Sequence, residues 1–203
     1  MKKTEDTGKG FWSRFAWLYN RVISKDAAAY GQMYALMRPV VHGKTVLELA
    51  TGTGLIAKNL VHDAAMIEAT DFSPEMIAEA QKENHYSKLH FSVQDMFHLP
   101  YADGSFEVVI ASNVLHIIPE PEKAIAEMER VLTTDGVLIL PTFTHGEMGF
   151  FAHLKANLMK CFGFPLHHAW GPQEYHGFLE QNGLTVRKFT VLNRDAGVPA
   201  RAA

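Results

Sequence analysis

The chain has one cysteine, Cys161, among 203 residues, so no internal disulfide can close and the fold must rest on an apolar core. A lone thiol suits a reducing compartment, and the expectation is a cytoplasmic protein with Cys161 as a small buried residue. Basic excess is also missing. The 19 Lys and Arg against 22 Asp and Glu give a formal net charge of -3, which leaves no global field for nucleic-acid phosphates. No nucleic acid partner is therefore expected. Long apolar runs are absent too. The strongest, 108–111 and 137–140, are far too short to cross a bilayer, and 1–10 lacks the apolar stretch of a signal peptide. No His/Cys cluster has zinc spacing, and the adjacent His167 and His168 are poorly placed to share an ion, so no metal is expected. What remains is a balance of 47% hydrophobic and 20% charged residues, ordinary for one globular domain.

Residues 1–10 read as a disordered tail, followed by a single domain over 11–203. Within it, 11–40 is expected to be a helical cap. Phe11, Phe15, Leu18, Tyr19, Val22 and Ile23 fall at helical spacing, and a second helix over 26–37 should stop at Arg38-Pro39. From 44 to 142 short apolar runs alternate with helices: strands at 45–50, 65–70, 89–93, 106–111 and 137–140, and helices at 55–62, after Ser73-Pro74-Glu75, and at 119–132. Asp135-Gly136 should turn the chain into the fifth strand. This alternation predicts an α/β fold, a doubly wound, Rossmann-like, mostly parallel sheet. Residues 143–182 are expected to be a helical insertion and helix, and 184–203 a C-terminal strand region.

Thr45-Val-Leu-Glu-Leu-Ala-Thr-Gly-Thr-Gly54 places Gly52 and Gly54 between the first strand and its helix. Glycine serves there because the backbone must take positive φ or let a ligand come close. Exposed amides at a helix start suit an anionic group. Gly52-x-Gly54-x-x-Ala57, with Asp71 downstream, also matches the degenerate dinucleotide fingerprint, so the loop alone leaves two ligand classes open. Other residues separate them. Glu48 lies in the first strand, where a ligand amino group could be met, and Asp95-Met96 follows the third strand, suiting a purine amine and its face. No Tyr-x-x-x-Lys pair occurs, so the proton-transfer couple of short-chain dehydrogenases is missing.

Val46 to Gly54, Thr70-Asp-Phe-Ser-Pro-Glu-Met76, Gln94-Asp95-Met96, Leu99-Pro-Tyr-Ala-Asp-Gly-Ser-Phe106 and Glu129-Arg-Val-Leu132 resemble consecutive blocks of class I S-adenosylmethionine-dependent methyltransferases. The similarity is nearest to the ubiquinone/menaquinone-biosynthesis methyltransferase-like group. Trp12 to Asn20 resembles that group's leading box, which implies that Tyr19 closes over the cofactor. The resemblance implies a sheet of about six to seven strands, with 184–192 as the sixth and an irregular return at 197–203, where Pro199 is ill suited to a central strand. It implies S-adenosylmethionine as cofactor, with S-adenosylhomocysteine as product. Ala50, Gly52 and Gly54 would approach the methionine part, with Glu48 near its amine. Asp71 would bind the ribose, Phe72 or Met76 would flank the adenine, Asp95 beside Met96 would meet the adenine amine, and Asn113 would face the sulfonium and acceptor.

Aromatic and histidine residues crowd 143–176, where the family shapes its acceptor pocket, and 147–161 is expected to form a lid. His145 and His116 are the candidates for a general base or acceptor-orienting group. An apolar pocket suits a small-molecule or lipid-like acceptor. The aromatic, partly basic 11–25 helix could then make peripheral membrane contact, although an intramolecular lid is the preferred reading. A non-catalytic cofactor-binding partner protein is the alternative, and a nicotinamide-dependent oxidoreductase a more distant one.

Overall fold

The structure, a computed structural model, describes residues 27–82, 84–143 and 167–192. In chain order its elements are α1 (Ala27–Val41), β1 (Thr45–Leu49), α2 (Leu55–Leu60), β2 (Met66–Asp71), α3 (Pro74–Gln81), β3 (Leu89–Val93), β4 (Phe106–Ala111), a 3-10 turn (Leu115–Ile117), α4 (Pro121–Val131), β5 (Leu132–Ile139) and α5 (Pro172–Gln181). Five parallel strands pair in the order β3-β2-β1-β4-β5. The strand order reverses between β1 and β4, so a crevice opens there at the strands' C-terminal ends.

Period-two alternation along the central strands feeds two cores. Val46, Ile67, Val108 and Ile110 pack under α1 and α2, against Met33, Met37, Val41, Ile56 and Leu60. Leu47, Leu49 and Val109 face the opposite side, against Ala124, Ile125 and Met128 of α4 and Tyr175 and Leu179 of α5. Both faces of β1 are buried, which is why its sequence is almost continuously apolar and why Glu48 within it is conspicuous.

The expected helices and strands of 45–111 are found with shifts of one or two residues at their ends. Ser73 caps α3 as its sequence predicts, its hydroxyl accepting from the Met76 amide at 3.2 Å with Pro74 at the first helical position. Three expectations are corrected. α1 does not stop at Arg38-Pro39 but runs to Val41, with Pro39 inside it. Buried Met37 and Val41 hold that last turn against the core, and a proline so near the end disturbs little of the helical ladder. The turn at Asp135-Gly136 does not precede the fifth strand but lies within it. Phe106 pairs with Leu132 and Val108 with Val137, so two steps along β4 face five along β5 and the excess loops out as a bulge. Finally, 184–192, expected as the sixth strand, joins no ladder, and among the described residues the sheet has five strands. Leu184 and Val186 still pack on the α5 side. The return strand expected to pair with this segment, at 197–203, lies outside the described residues, as do the 1–10 tail, the 11–25 helix and the 147–161 lid.

Candidate functional site

Parallel pairing brings the sequence-predicted residues to one edge of the sheet. Across β3, β2, β1 and β4, Asp95, Asp71, Glu48 with its glycine loop, and Asn113 stand at or just beyond the C-terminal strand ends. These residues span 66 positions of sequence (48 to 113), and only the crossovers make them neighbours.

The loop after β1 turns through left-handed backbone at Ala50 (φ 52°), Gly52 (φ 57°) and Gly54 (φ 78°). Gly54 has a second constraint: a Cβ there would lie 2.6 Å from the Phe91 ring, so helix α2 reaches β3 closely only with glycine. Ala50 takes a similar φ with a methyl group and carries strain that glycine would not. The loop is held by Thr51 N donating to Thr70 O at 2.9 Å and Gly54 N to Thr51 O at 3.0 Å.

Asp71 orders the neighbouring strand end. Its Oδ2 accepts from the Gly52 amide at 2.8 Å and its Oδ1 from the Ser73 amide at 2.9 Å. Burial raises its pKa, while the amides of Ser73, Gly52 and Phe72 oppose that rise. Each oxygen keeps lone-pair capacity, so the carboxylate can tie the loop and still accept from a pair of hydroxyls. Phe72 is 48% exposed whereas Met76 is 2% exposed, so Phe72 is the one that offers a ring face.

Glu48 is 2% exposed, and burial pushes its carboxyl up to about 8. The Thr51 hydroxyl beside it and the Ala57 amide oppose the rise, and the Asp71 charge adds to it. Its Oε2 is buried without a hydrogen-bond partner, as are Thr51 Oγ1 and the Tyr34 hydroxyl. Such orphaned polar atoms are costly unless something completes them. A cavity of about 20 Å³ lies here, lined by Tyr30, Glu48, Ala50, Thr51, Leu55, Ile56, Ser112 and Asn113. Asn113 is itself left-handed (φ 56°) and donates from Nδ2 to the Tyr30 hydroxyl at 3.5 Å and to Ser112 Oγ at 3.3 Å. Sequence reasoning missed Tyr30, Tyr34, Thr51 and Ser112. The signal for the tyrosines was their i, i+4 spacing on α1, which reads equally as packing.

At the far end, Asp95 Oδ1 accepts from the Phe97 amide at 2.9 Å, and Oδ2 lies 3.4 Å from His98 Nδ1. Met96 packs against the core beside it. This loop is clasped from behind by Arg130 of α4, which donates to Leu99 O at 3.1 Å, Tyr101 O at 2.8 Å and Asp103 at 2.7 Å. Glu127 completes the clasp by accepting from the Leu99 amide at 2.8 Å and from Arg130. The sequence blocks around Leu99 to Phe106 and Glu129 to Leu132 thus meet in space.

His116 is 4% exposed, in the 3-10 turn after Asn113, with Nδ1 3.1 Å from Thr142 Oγ1. Its carbonyl accepts from the amides of His167 and His168, both at 3.0 Å. Nearby, His168 stacks on Trp170 and Trp170 on Phe178, with centroids 4.7 and 4.6 Å apart. Tyr19 and His145 lie outside the described residues. Among the described residues no group of three His, Cys, Asp or Glu side chains could hold a metal, and no helix is long and apolar enough to cross a membrane.

Residues 47–140 match a family model described as a methyltransferase domain. Over 133 residues the chain is 33% identical to a demethylmenaquinone methyltransferase of Renibacterium salmoninarum, covering 63% of this chain and 55% of that one. The chain therefore spans little more than half the length of the curated relatives it matches. Two solved structures share the fold. One is a methyltransferase bound to the Trm112 activator of Haloferax volcanii (TM-score 0.77, 21% identity, covering 93% of this chain and 83% of that one). The other is a DhpI–SAH complex (TM-score 0.69, 24% identity, covering 87% and 86%).

Proposed function

We propose, on the premise that residues 47–140 form a methyltransferase domain, that this chain moves a methyl group from S-adenosylmethionine to a small acceptor of the quinone-precursor type. The observation that carries the cofactor half is the buried Glu48 oxygen without a partner, set at the switch-point crevice beside the left-handed loop. A buried acceptor left incomplete fits a ligand bearing an ammonium group, which favours the carboxylate form, better than the pyrophosphate of a dinucleotide, which brings it no donor.

The residues divide the work along the sheet edge. Glu48 takes the ligand amine, and the loop of Ala50, Gly52 and Gly54 lets the methionine chain approach the backbone. Asp71 accepts from the ribose hydroxyls while its amide bonds hold it rigid. Phe72 covers one adenine face, Met96 borders the other side, and Asp95 accepts from the exocyclic amine. The bound cofactor supplies an activated methyl on a sulfonium, open to in-line displacement. The protein's contribution is alignment and exclusion of water. Asn113, which donates to Tyr30 and Ser112 just after β4, orients the acceptor in this reading. Buried His116 holds 142 and 167–168 around the acceptor side and supports its shape. Tyr19 remains assigned by resemblance to the cofactor cover, and His145 remains a candidate general base or acceptor-orienting group from its place among the aromatic and histidine residues of 143–176.

Thermal shift with S-adenosylhomocysteine and with NAD tests the cofactor, and labelled-methyl transfer to a demethylated naphthoquinone tests the acceptor class. Stabilisation by NAD alone overturns the reading. Binding of S-adenosylhomocysteine with no transfer to any member of an acceptor panel favours a non-catalytic partner protein.

A further inference from the structure

Two of the three orphaned oxygens belong to residues that line the same small cavity. Glu48 Oε2 and Thr51 Oγ1 are both buried and neither reaches hydrogen-bond geometry, although the hydroxyl lies beside the carboxyl whose rise it opposes; both residues line the space of about 20 Å³ between α1, the loop and the end of β4. Tyr34, the third, is not among the lining residues. Its hydroxyl is close enough to feel the Glu48 charge. The space is about large enough for one small polar group. Apart from Glu48, the residues around it bring little charge: Tyr30 from α1, Leu55 and Ile56 from α2, and Ser112 and Asn113 after β4.

A primary ammonium carries its donors on one compact centre and is satisfied by converging oxygens. A carboxylate oxygen and a hydroxyl meet that need together, because the hydroxyl can accept from the ammonium while donating elsewhere. The Thr51 side chain is also free to do so. Its backbone is already anchored, with N bonded to Thr70 O and O accepting from Gly54 N, so the hydroxyl is not required to hold the loop. Burying that hydroxyl unpaired works against folding, which makes it a poor choice for structure alone.

We propose that Thr51 is a ligand-selecting residue, its hydroxyl forming with Glu48 Oε2 a two-oxygen receptor for the primary ammonium of the adenosyl ligand. It follows that the cleft distinguishes S-adenosylmethionine and S-adenosylhomocysteine from adenosyl thioethers that lack the amino acid. The inference rests on the proposed function and assigns a role that the glycine loop alone does not supply.

The test is titration calorimetry on the full chain with S-adenosylhomocysteine and with 5′-methylthioadenosine, which keeps the adenosine and lacks the ammonium. Thr51→Val replaces the hydroxyl by a methyl of similar size, and Thr51→Ser keeps it. Thr51→Val is expected to lose roughly tenfold or more in affinity for S-adenosylhomocysteine, the range for a hydrogen bond to a charged group, with methylthioadenosine unchanged. Thr51→Ser is expected to bind both as the wild type does. The ligand-free melting temperature of Thr51→Val should equal or exceed that of the wild type, the opposite sign to its loss of affinity. Thr51→Ala repeats the comparison should the valine variant not fold. Wild-type affinity in the hydroxyl-free variants, or equal losses for both ligands, overturns the inference while leaving the proposed function standing. No binding of S-adenosylhomocysteine by the wild type overturns both.

Discussion

The Gly52 amide donates to Asp71 Oδ2 at 2.8 Å, so the loop after β1 and the end of β2 are joined through a side chain. The same carboxylate accepts from Ser73 and thereby sets the entry to α3. Asp71→Asn keeps the shape but turns one acceptor into a donor facing an amide. Folding stability should drop by about 1–3 kcal/mol, the cost of leaving a buried group unsatisfied. Affinity for both S-adenosylhomocysteine and methylthioadenosine should fall, since both carry the ribose. Chemical denaturation and calorimetry read the two effects, and unchanged methylthioadenosine affinity would remove Asp71 from the ribose site.

Glu48 makes the ligand-free protein pH-sensitive in a defined direction. Burial holds its carboxyl at about 8, above the unfolded value of about 4.3. Between those values the folded state keeps a proton that the unfolded state releases. The stability from this group is therefore full below the unfolded value and is lost as pH rises through about 8. Asp71 and Glu68 are raised and act in the same sense, whereas Glu107 and Glu127 are lowered and act in the opposite one. The informative measurement is thus the difference between wild type and Glu48→Gln. The wild type should lose melting temperature more steeply on going from acid to mildly alkaline buffer, and parallel curves would contradict the assignment.

Gly54→Ala should be among the most damaging single-methyl changes in the chain. The added Cβ meets the Phe91 ring at 2.6 Å, and the residue sits at φ 78°. Overpacking and left-handed strain each cost about 1–3 kcal/mol. A melting temperature within a degree or so of wild type would show that α2 does not approach β3 this closely.

Ala50→Gly should do the reverse. Relief of the left-handed alanine at φ 52° is worth about 1–2 kcal/mol, partly offset by the greater freedom of glycine in the unfolded chain. A net gain of up to about 1 kcal/mol is expected by urea titration. Destabilisation would mean that the methyl packs usefully in the cavity wall.

Arg130 acts at a distance from the ligand. It holds the carbonyls of Leu99 and Tyr101 while Glu127 holds the Leu99 amide, so Arg130→Met should loosen the loop that carries Asp95 and Met96. Amide exchange across 95–104 should quicken, and methylthioadenosine affinity should fall because the adenine end is affected. Faster exchange with unchanged affinity would separate the loop from adenine binding.

Much of the core was readable because local rules and tertiary packing agree there. Glycine at Gly52 and Gly54, the Ser73-Pro74 cap and the short apolar run of β4 each point to one local conformation, and burial on both faces of the sheet reinforces it. Reading failed where packing overrode a local signal. Pro39 should end a helix, yet Met37 and Val41 tie its last turn to the core. Asp135-Gly136 should start a strand, yet β5 pairs with β4 on both sides of it. Strand status at 184–192 was beyond a sequence argument, since a strand exists only through its partner.

For the site, the sequence by itself determined which residue types are available: Glu48 inside a strand, and Asp71, Asp95 and Asn113 ending or following one. Parallel pairing then had to place them along one edge, and only the tertiary structure decided what each still has to offer. Asp71 is already engaged by two amides, Asp95 by its own turn, and Glu48 keeps a buried oxygen free. The physical reason is that a motif records identity and spacing, whereas desolvation and unmet hydrogen bonds depend on which helix covers the strand. Tyr30 and Tyr34 acquire their relation to Glu48 only when α1 packs across β1.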